Sequence, residues 1–448
     1  MISDDTIYAL ATPSGKSGVA IIRISGRNAK KVFDTFGIHA KKERTLFRAR
    51  IFRPDKKEII DEALAVYFDE PHSFTGENIV EFHVHGSSGV ISEILNVMST
   101  IPHFRSAEPG EFTKRAFMSD KLDLTQIEGL ADLIDAETEE QVYQANRHVT
   151  GELRKKHIEW KQIITNALAS IEAMIDFPED DENIPNTLDF LKNVILVKEE
   201  INKTLNTNTG EIIRKGLTIS IIGPPNAGKS SLINYLSKKD TSIVSSQPGT
   251  TRDIVEVTLN LFGYPVVFAD TAGIRDTNDS VEKEGVRRAI EKAKNSNINV
   301  AVFDGDFYPY FDEKTAKNVD LETIILVNKS DKLTTNNMEL KNDIFHKQDI
   351  IFVSVKKDHG LDKFFDAIKN KMNKIFSLQT SVAPLTRDRQ KKALSLCLEH
   401  VDNAINGTEP ELVAEDLRMS LRSLGKLVGE VDIEDVLDKL FHDFCIGK

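Results

Sequence analysis

The chain has 448 residues, a formal net charge of −12 and two cysteines, Cys397 and Cys445. At ~150 residues per domain this length exceeds one core and predicts about three domains, and the acidic balance excludes a global basic field that would draw nucleic acid to the surface. Cysteines this far apart, with no C-x-x-C, exclude a zinc ribbon and imply a reducing compartment. In chain order, Met1-Ile2-Ser3-Asp4-Asp5 is acidic and lacks the apolar region of a secretion signal. No run approaches about 18 apolar residues, so a cytoplasmic protein without a membrane segment is expected.

Residues 1–118 alternate at period two in Val19-Ala20-Ile21-Ile22-Arg23-Ile24, Ala63-Leu64-Ala65-Val66-Tyr67-Phe68 and Ile79-Val80-Glu81-Phe82-His83-Val84. Helical patterns such as Ile91-Ser92-Glu93-Ile94-Leu95 intervene, which describes a compact α+β domain. From Thr125 the period changes. Thr125-Gln126-Ile127-Glu128 has the form of a capping box, and Ile127, Leu130, Ala131 and Ile134 recur at helical spacing. Long helical patterns run to about Asp176, pause at Phe177-Pro178 and resume from Thr187 to Leu205; the acidic stretch Glu179 to Glu182 reads as an exposed loop between helices. Local basic clusters (Arg44/Arg48/Arg50, Arg154-Lys155-Lys156, Lys391-Lys392) are where any RNA contact would have to fall, although each reads singly as a solvated face.

The apolar segment Leu217-Thr218-Ile219-Ser220-Ile221-Ile222 leads into Gly223-Pro224-Pro225-Asn226-Ala227-Gly228-Lys229-Ser230, followed by a helical pattern from Ser231. Strand, G-x-x-x-x-G-K-S loop and helix in this order form a P-loop. Its backbone N–H groups cradle phosphates at a helix N-terminus. Lys229 reaches the β- and γ-phosphates, and the Ser230 hydroxyl serves Mg²⁺. Gly249-Thr250-Thr251-Arg252-Asp253 offers Thr251 as a switch hydroxyl for the same ion. Asp270-Thr271-Ala272-Gly273 ends a strand from Tyr264, giving an outer Mg²⁺ carboxylate and a glycine N–H for the γ-phosphate. Asn328-Lys329-Ser330-Asp331 follows Thr323-Ile324-Ile325-Leu326-Val327, at the strand edge where open parallel sheets bind ligands. Asp331 can accept from N1–H and N2–H₂ of guanine, a donor pair that adenine lacks. Ser354-Val355-Lys356 closes over the base. These elements predict a GTPase domain.

Ile274 stands where Ras-type enzymes carry the glutamine that orients the attacking water. Isoleucine cannot orient water, and Glu282 is the best-placed carboxylate on the same segment, although by residue type alone it reads as a solvated glutamate. Arg252 and Arg275 are nearby, but no arginine finger is recoverable. Beyond the GTPase, Leu417, Leu421, Leu424 and Val428 recur at helical spacing, followed by Val436, Leu437, Leu440 and Phe441. About 75 residues make a thin core of their own, so this tail is expected to pack on the earlier helices with the GTPase inserted between. The expected organisation is multi-domain α/β and α: an α+β domain at 1–118, a helical domain in two parts at 119–215 and 373–448, and an inserted P-loop GTPase at 216–372.

Over essentially its whole length the chain resembles the tRNA-modification GTPase family MnmE (TrmE). The resemblance rests on Thr6-Ile7-Tyr8-Ala9-Leu10-Ala11-Thr12-Pro13, Gly18 to Gly26, Ser73-Phe74-Thr75-Gly76-Glu77, Pro109 to Phe117, the GTPase motifs and the ending Phe444-Cys445-Ile446-Gly447-Lys448. It implies GTP hydrolysis coupled to adding a (carboxymethyl)aminomethyl group at C5 of the wobble uridine, position 34, of certain tRNAs. It also implies a homodimer, an FAD-dependent partner (MnmG, or GidA) in a heterotetramer, and a reduced folate (5-formyl- or methylene-tetrahydrofolate) as one-carbon donor.

By position, the resemblance puts the folate site on Arg23, Glu81, Lys121 and Lys448, and a functional thiol at Cys445. A pterin presents a guanidine-like donor edge to a carboxylate, while cations suit its acidic tail. Met118-Ser119-Asp120 departs from the family's usual Leu-Asn pair just before Lys121. In place of an arginine finger the resemblance implies K⁺, with Asn226 as a ligand and further oxygens from Ser245, Gln247 and Thr250. Nucleotide contacts then extend over Asn226, Ala227, Gly228, Lys229, Ser230 and Ser231, and along Ser245-Ser246-Gln247-Pro248-Gly249-Thr250-Thr251. Pro248 is a departure. Glu282 matches the family's water-orienting carboxylate. The other reading open at this stage is a ribosome-assembly or translation-associated GTPase switch without modification chemistry, which has no need of a folate site.

Overall fold

A computed structural model describes residues 5–55, 57–176, 187–238, 242–243, 256–270, 296–333, 348–377, 384–431, 440–441, 444 and 447. The chain divides into two compact units. One gathers residues 1–131, 148–191 and 399–448, the other 132–147 and 192–398.

The first unit opens with β1 (Thr6–Leu10), β2 (Ser17–Ser25), α1 (Lys31–Thr35), β3 (Phe47–Phe52), β4 (Ile59–Phe68), β5 (Ile79–Gly86), α2 (Ser88–Ser99) and β6 (Phe104–Ser106). The strands form one sheet in the order β3-β4-β5-β2-β1-β6, antiparallel except where β6 pairs with β1. Alternation along β5 sends Val80, Phe82 and Val84 into a core with Val32 and Phe33 of α1, Phe36 just past it, and Ile94 and Met98 of α2. Glu81, His83 and His85 therefore point to the opposite face.

Next come α3 (Glu111–Met118), α4 (Leu124–Ile134), α5 (Glu139–Val149), α6 (Glu152–Asp176) and α7 (Thr187–Leu205). The capping box of α4 lies two residues earlier than the sequence suggests. Asp123 Oδ1 accepts from Gln126 N at 3.0 Å, and Gln126 Oε1 accepts from Asp123 N at 3.2 Å. Thr125, a weaker cap than aspartate, is buried and spends its hydroxyl on Asp123 Oδ1 at 2.6 Å. Leu153, His157, Trp160, Ile164, Ala167 and Ile171 give α6 one buried stripe. Near the end of the chain α13 (Pro410–Val428) packs on it, with Arg418 reaching Glu172 at 2.8 Å.

The second unit continues through α8 (Thr209–Lys215), β7 (Leu217–Ile222), α9 (Lys229–Ser237), β8 (Ser242–Ile243), β9 (Glu256–Leu261), β10 (Tyr264–Asp270), β11 (Ile298–Asp304), α10 (Glu313–Ala316), β12 (Ile324–Asn328), β13 (Ile350–Phe352) and α11 (Leu361–Phe376). Between α11 and α13 lies α12 (Asp388–Asn406). The sheet order is β13-β12-β11-β7-β10-β9-β8, parallel from β13 to β10 and antiparallel beyond. Strands buried on both faces must be apolar throughout, as Ile324-Ile325-Leu326-Val327 is. The fold is multi-domain: an α+β sheet domain, packed helices and a P-loop domain of α/β type. Among the described residues no helix is long and apolar enough to cross a membrane.

Candidate functional site

β7 delivers the phosphate loop to the N-terminus of α9. Gly228, at φ +97°, stands so close to Asn328 that a Cβ there would lie 2.0 Å from its Nδ2. No side chain fits this position, and the approach lets Asn328 Nδ2 donate to the Ala227 carbonyl at 3.0 Å. Asn328 Oδ1 accepts from Val355 N at 3.2 Å, so one side chain fastens the phosphate loop to the loop at Ser354. Lys229 is 8% exposed and turns its ammonium back into the loop, donating to the Gly223 and Pro224 carbonyls at 2.7 and 2.8 Å. An ammonium held inside a glycine-containing loop at a helix N-terminus is an arrangement suited to phosphate. Asn226 (φ +62°), Ser230 and Ser231 are exposed on this loop and first turn.

The Asn328-Lys329-Ser330-Asp331 loop is built from its ion pairs and turns. Lys329 takes a left-handed backbone, φ +62°, and its ammonium pairs with Asp304 at the end of β11 and lies 3.6 Å from Asp306. Asp304, first among its causes, raises the lysine's pKa. Ser330 N donates to the Val353 carbonyl at 3.0 Å, tying the loop to the residue that follows β13. That places exposed Asp331 beside buried Ser354, whose hydroxyl donates to Asp331 Oδ1 at 2.6 Å and holds the carboxyl below its ordinary range. An ionised, oriented carboxylate is the group needed to accept two N–H donors of a base edge. Asp270 ends β10, its backbone paired with Ile221. Ser245, Ser246, Gln247, Pro248, Gly249, Thr250, Thr251, Thr271, Ala272, Gly273 and Glu282 lie outside the described residues.

In the first unit, the β2–β5 register sets Arg23 opposite Glu81, and Arg23 Nε donates to Glu81 Oε1 at 2.7 Å. The guanidinium lies 5.9 Å from the ring centre of Phe74 and 5.8 Å from that of Phe112, within cation–π range. Phe112 is fully buried, while Phe74 is exposed. Gly76, two residues past Phe74, passes Ser119 and Lys121, with a built Cβ 2.9 and 3.5 Å from their side chains. Gly447 abuts the other side of the strand pair, where a Cβ would meet the Leu10 carbonyl at 2.3 Å; the neighbouring Ala9 is opposite Arg23. Arg23, Glu81 and the Lys121 segment are thus brought into one neighbourhood, and Gly447 brings the chain end to it. Cys445 and Lys448 themselves lie outside the described residues. Asp120, before Lys121, adopts φ +56°, a region that Asp and Asn tolerate better than most residues.

Sequence reading missed the charged network that supports this cluster. Glu77 accepts from Ser25 Oγ at 2.8 Å and from Arg115 Nη1 at 2.9 and 3.1 Å. Arg115, 6% exposed, also donates to the Asp5 carbonyl and to Glu111, which Arg105 grips through two nitrogens. Breaking such a buried pair costs about 3–5 kcal/mol, since an uncompensated charge is left inside. The signal was in the quoted stretches around Phe74-Thr75-Gly76-Glu77 and Glu111 to Arg115, but spacing alone does not say which charges meet. The basic clusters have acidic partners: Arg48 and Arg50 share Glu62, Lys391 holds Glu211, and Arg154 lies 3.6 Å from Asp123.

Two family models match the chain, the GTP-binding protein TrmE N-terminus over residues 6–121 and the MnmE helical domain over residues 124–445. It is 42% identical over 447 residues to the tRNA modification GTPase MnmE of Ehrlichia canis, covering 99% of each chain. It is 40% identical over 448 residues to the protein of the same description from Paramagnetospirillum magneticum, covering 99% of this chain and 100% of that one.

Proposed function

Because the chain belongs to the MnmE family of tRNA modification GTPases, we propose that its GTP turnover drives addition of a (carboxymethyl)aminomethyl group to C5 of the wobble uridine of certain tRNAs. The coarser activity, a GTPase acting in tRNA modification, is that of its family. In the proposed scheme Lys229 and the amides at the start of α9 hold the phosphates, while Asp331, oriented by Ser354, selects guanine. Ser230 and Thr251 would hold Mg²⁺, and Asn226 with Ser245, Gln247 and Thr250 would hold K⁺; these ions supply positive charge as charge develops on the phosphate oxygens. Glu282 would orient the attacking water.

Arg23, Glu81, Lys121 and Lys448 would hold the reduced folate, which supplies the one-carbon unit. The donor set fits such a ligand: a carboxylate for the pterin's donor edge, cations for its acidic tail and an exposed aromatic ring, Phe74, beside them. A homodimer joined by the FAD-dependent MnmG (GidA) as a heterotetramer, working on tRNA in the cytoplasm, completes the proposal.

The observation that carries this reading over a bare GTPase switch is the Arg23–Glu81 pair set beside Phe74 and Phe112. A molecular timer needs no second ligand pocket. Nucleoside analysis of tRNA from a strain lacking the protein tests it: modified wobble uridine should vanish and return with the wild-type gene but not with Lys229→Ala. Unchanged nucleosides in the deletion strain, with a ribosome-assembly defect in their place, would favour the switch.

A further inference from the structure

Residues 132–147 belong to the same compact unit as the GTPase sheet, and they hold the leading ends of two of its strands. Gln144 Nε2 donates to the Gly210 carbonyl at 3.0 Å and Gln141 Nε2 to the Arg214 carbonyl at 3.3 Å, both in α8, which runs into β7. The Glu140 N–H, in the first turn of α5, donates at 3.1 Å to the carbonyl of Gly263, the residue before β10. Asp132 Oδ1 accepts from Arg214 Nε at 3.0 Å and from Arg387 Nη2 at 2.7 Å. One carboxylate thus ties the segment entering the sheet to the segment that follows it. Tyr264, first in β10, stacks on Phe376 at the end of α11, 4.2 Å between centres and 11° between planes.

β7 and β10 are neighbours in parallel, from Leu217 opposite Val266 to Ile221 opposite Asp270. Their far ends lead to the phosphate loop and to Asp270-Thr271-Ala272-Gly273. The two strands that meet the phosphates at one end therefore share a single anchor at the other. A hydrogen-bonded strand pair in a close-packed core is stiff, so a displacement at one end is carried to the other.

We propose that Asp132 is a positioning residue for the coupled reaction: through Arg214 and Arg387 it converts the nucleotide state of the sheet into the position of residues 132–147, and so lets GTP turnover drive tRNA modification. This rests on the reading that turnover and modification are coupled. Asp132 touches neither nucleotide nor substrate in this scheme.

The test uses the full-length protein with its modification system and compares Asp132→Asn, Asp132→Glu and Arg387→Gln. Asp132→Asn should keep kcat and KM for GTP within about twofold, while modified uridine formed per GTP hydrolysed falls about tenfold, within the usual range of coupling between sites. Amide exchange in residues 138–147 should differ between GDP and a non-hydrolysable GTP analogue in wild type, and the difference should vanish in Asp132→Asn. Asp132→Glu should restore part of both. Arg387→Gln should behave like Asp132→Asn, with the double variant no worse than either, as for one shared contact. A wild-type yield per GTP in Asp132→Asn would overturn the role. So would GTP turnover and modification falling in proportion with a lowered melting temperature, which marks a residue that only holds the fold. Full modification by the wild-type protein with the non-hydrolysable analogue would overturn the coupling itself, and that failure shows without any substitution.

Discussion

Ser354, 1% exposed, donates its hydroxyl to Asp331 Oδ1 over 2.6 Å and so fixes the orientation of a carboxylate that is itself exposed. An orienting partner on a rigid turn is what turns a surface carboxylate into a base reader. Asp331→Asn should shift preference from GTP toward xanthosine triphosphate, because the amide NH₂ can donate to the C2 carbonyl where guanine offers N2–H₂. The change should be about tenfold to a hundredfold, the size expected when buried donors and acceptors are mismatched. Competition binding with the two nucleotides checks this, and an unchanged preference for GTP would remove Asp331 from base recognition.

The proposed folate site at the Arg23–Glu81 pair of β2 and β5 makes a separate claim. Glu81→Gln keeps shape and loses charge, so reduced-folate affinity should fall about tenfold or more, as for loss of a charge-assisted hydrogen bond. GTP hydrolysis by the isolated protein should be unaffected. Equilibrium dialysis with 5-formyl-tetrahydrofolate measures the first and phosphate release the second. Folate affinity equal to wild type would return Glu81 to a plain cross-strand ion pair with Arg23.

How much of this was legible in the sequence depends on whether a feature is local. The P-loop and the Asn328-Lys329-Ser330-Asp331 turn could be read directly, because each is a short run whose backbone geometry its own residues dictate. The α4 cap was misplaced by two residues, since Asp123 and Thr125 are both good caps and only packing of Thr125 into the core decides between them. Asn328 was read for the base, while its bond to the Ala227 carbonyl, linking positions 101 apart, follows from the β11–β12 and β11–β7 pairings. The Asp132 clamp was invisible for the same reason: Arg214 and Arg387 lie on opposite sides of the GTPase in sequence, and only the folded unit brings them to one carboxylate.

The proposed potassium site makes a claim on Asn226, which is exposed on the phosphate loop at φ +62°. If Asn226 is a ligand of a monovalent cation, turnover should be much faster in K⁺ than in Na⁺ at matched ionic strength. Asn226→Ala should abolish that difference. Lost charge compensation at a phosphate costs on the order of 3 kcal/mol, about a hundredfold in rate. Equal turnover in the two salts would assign the work to another residue.

His157 sets a pH limit on the helical core. It is 2% exposed on the buried stripe of α6, and its Nε2 has no hydrogen-bond partner among the described residues. Burial pushes its pKa below the ordinary value, against an opposing pull from Glu430 and Asp123 and with added depression from Lys161 and Arg154. The neutral ring is therefore the native form. Its stabilising contribution is fully present above the unfolded value of about 6.5 and is lost as pH falls toward the depressed folded value. Thermal melting followed by circular dichroism from pH 7.5 to 5.5 should fall more steeply in wild type than in His157→Leu. Parallel curves would show that His157 is not the group responsible.

The water-orienting role separates hydrolysis from binding, and it rests on Ile274 and Glu282 together, both outside the described residues. Isoleucine at position 274 has no polar group with which to orient the attacking water, a task that glutamine serves in Ras-type enzymes. If Glu282 supplies that partner, Glu282→Ala should leave GTP affinity nearly intact, because the ground-state contacts come from Gly228, Lys229, Ser230 and Asp331. Turnover should drop by about 10² to 10⁴, the range of a positioned acid–base or water-orienting group. tRNA modification should drop with it, since loss of the γ-phosphate is the event that releases GTPase switch segments. Stopped-flow binding and single-turnover hydrolysis distinguish the outcomes. Normal turnover would leave Glu282 a solvated glutamate, and weakened GTP affinity at a normal maximal rate would make it a binding residue instead.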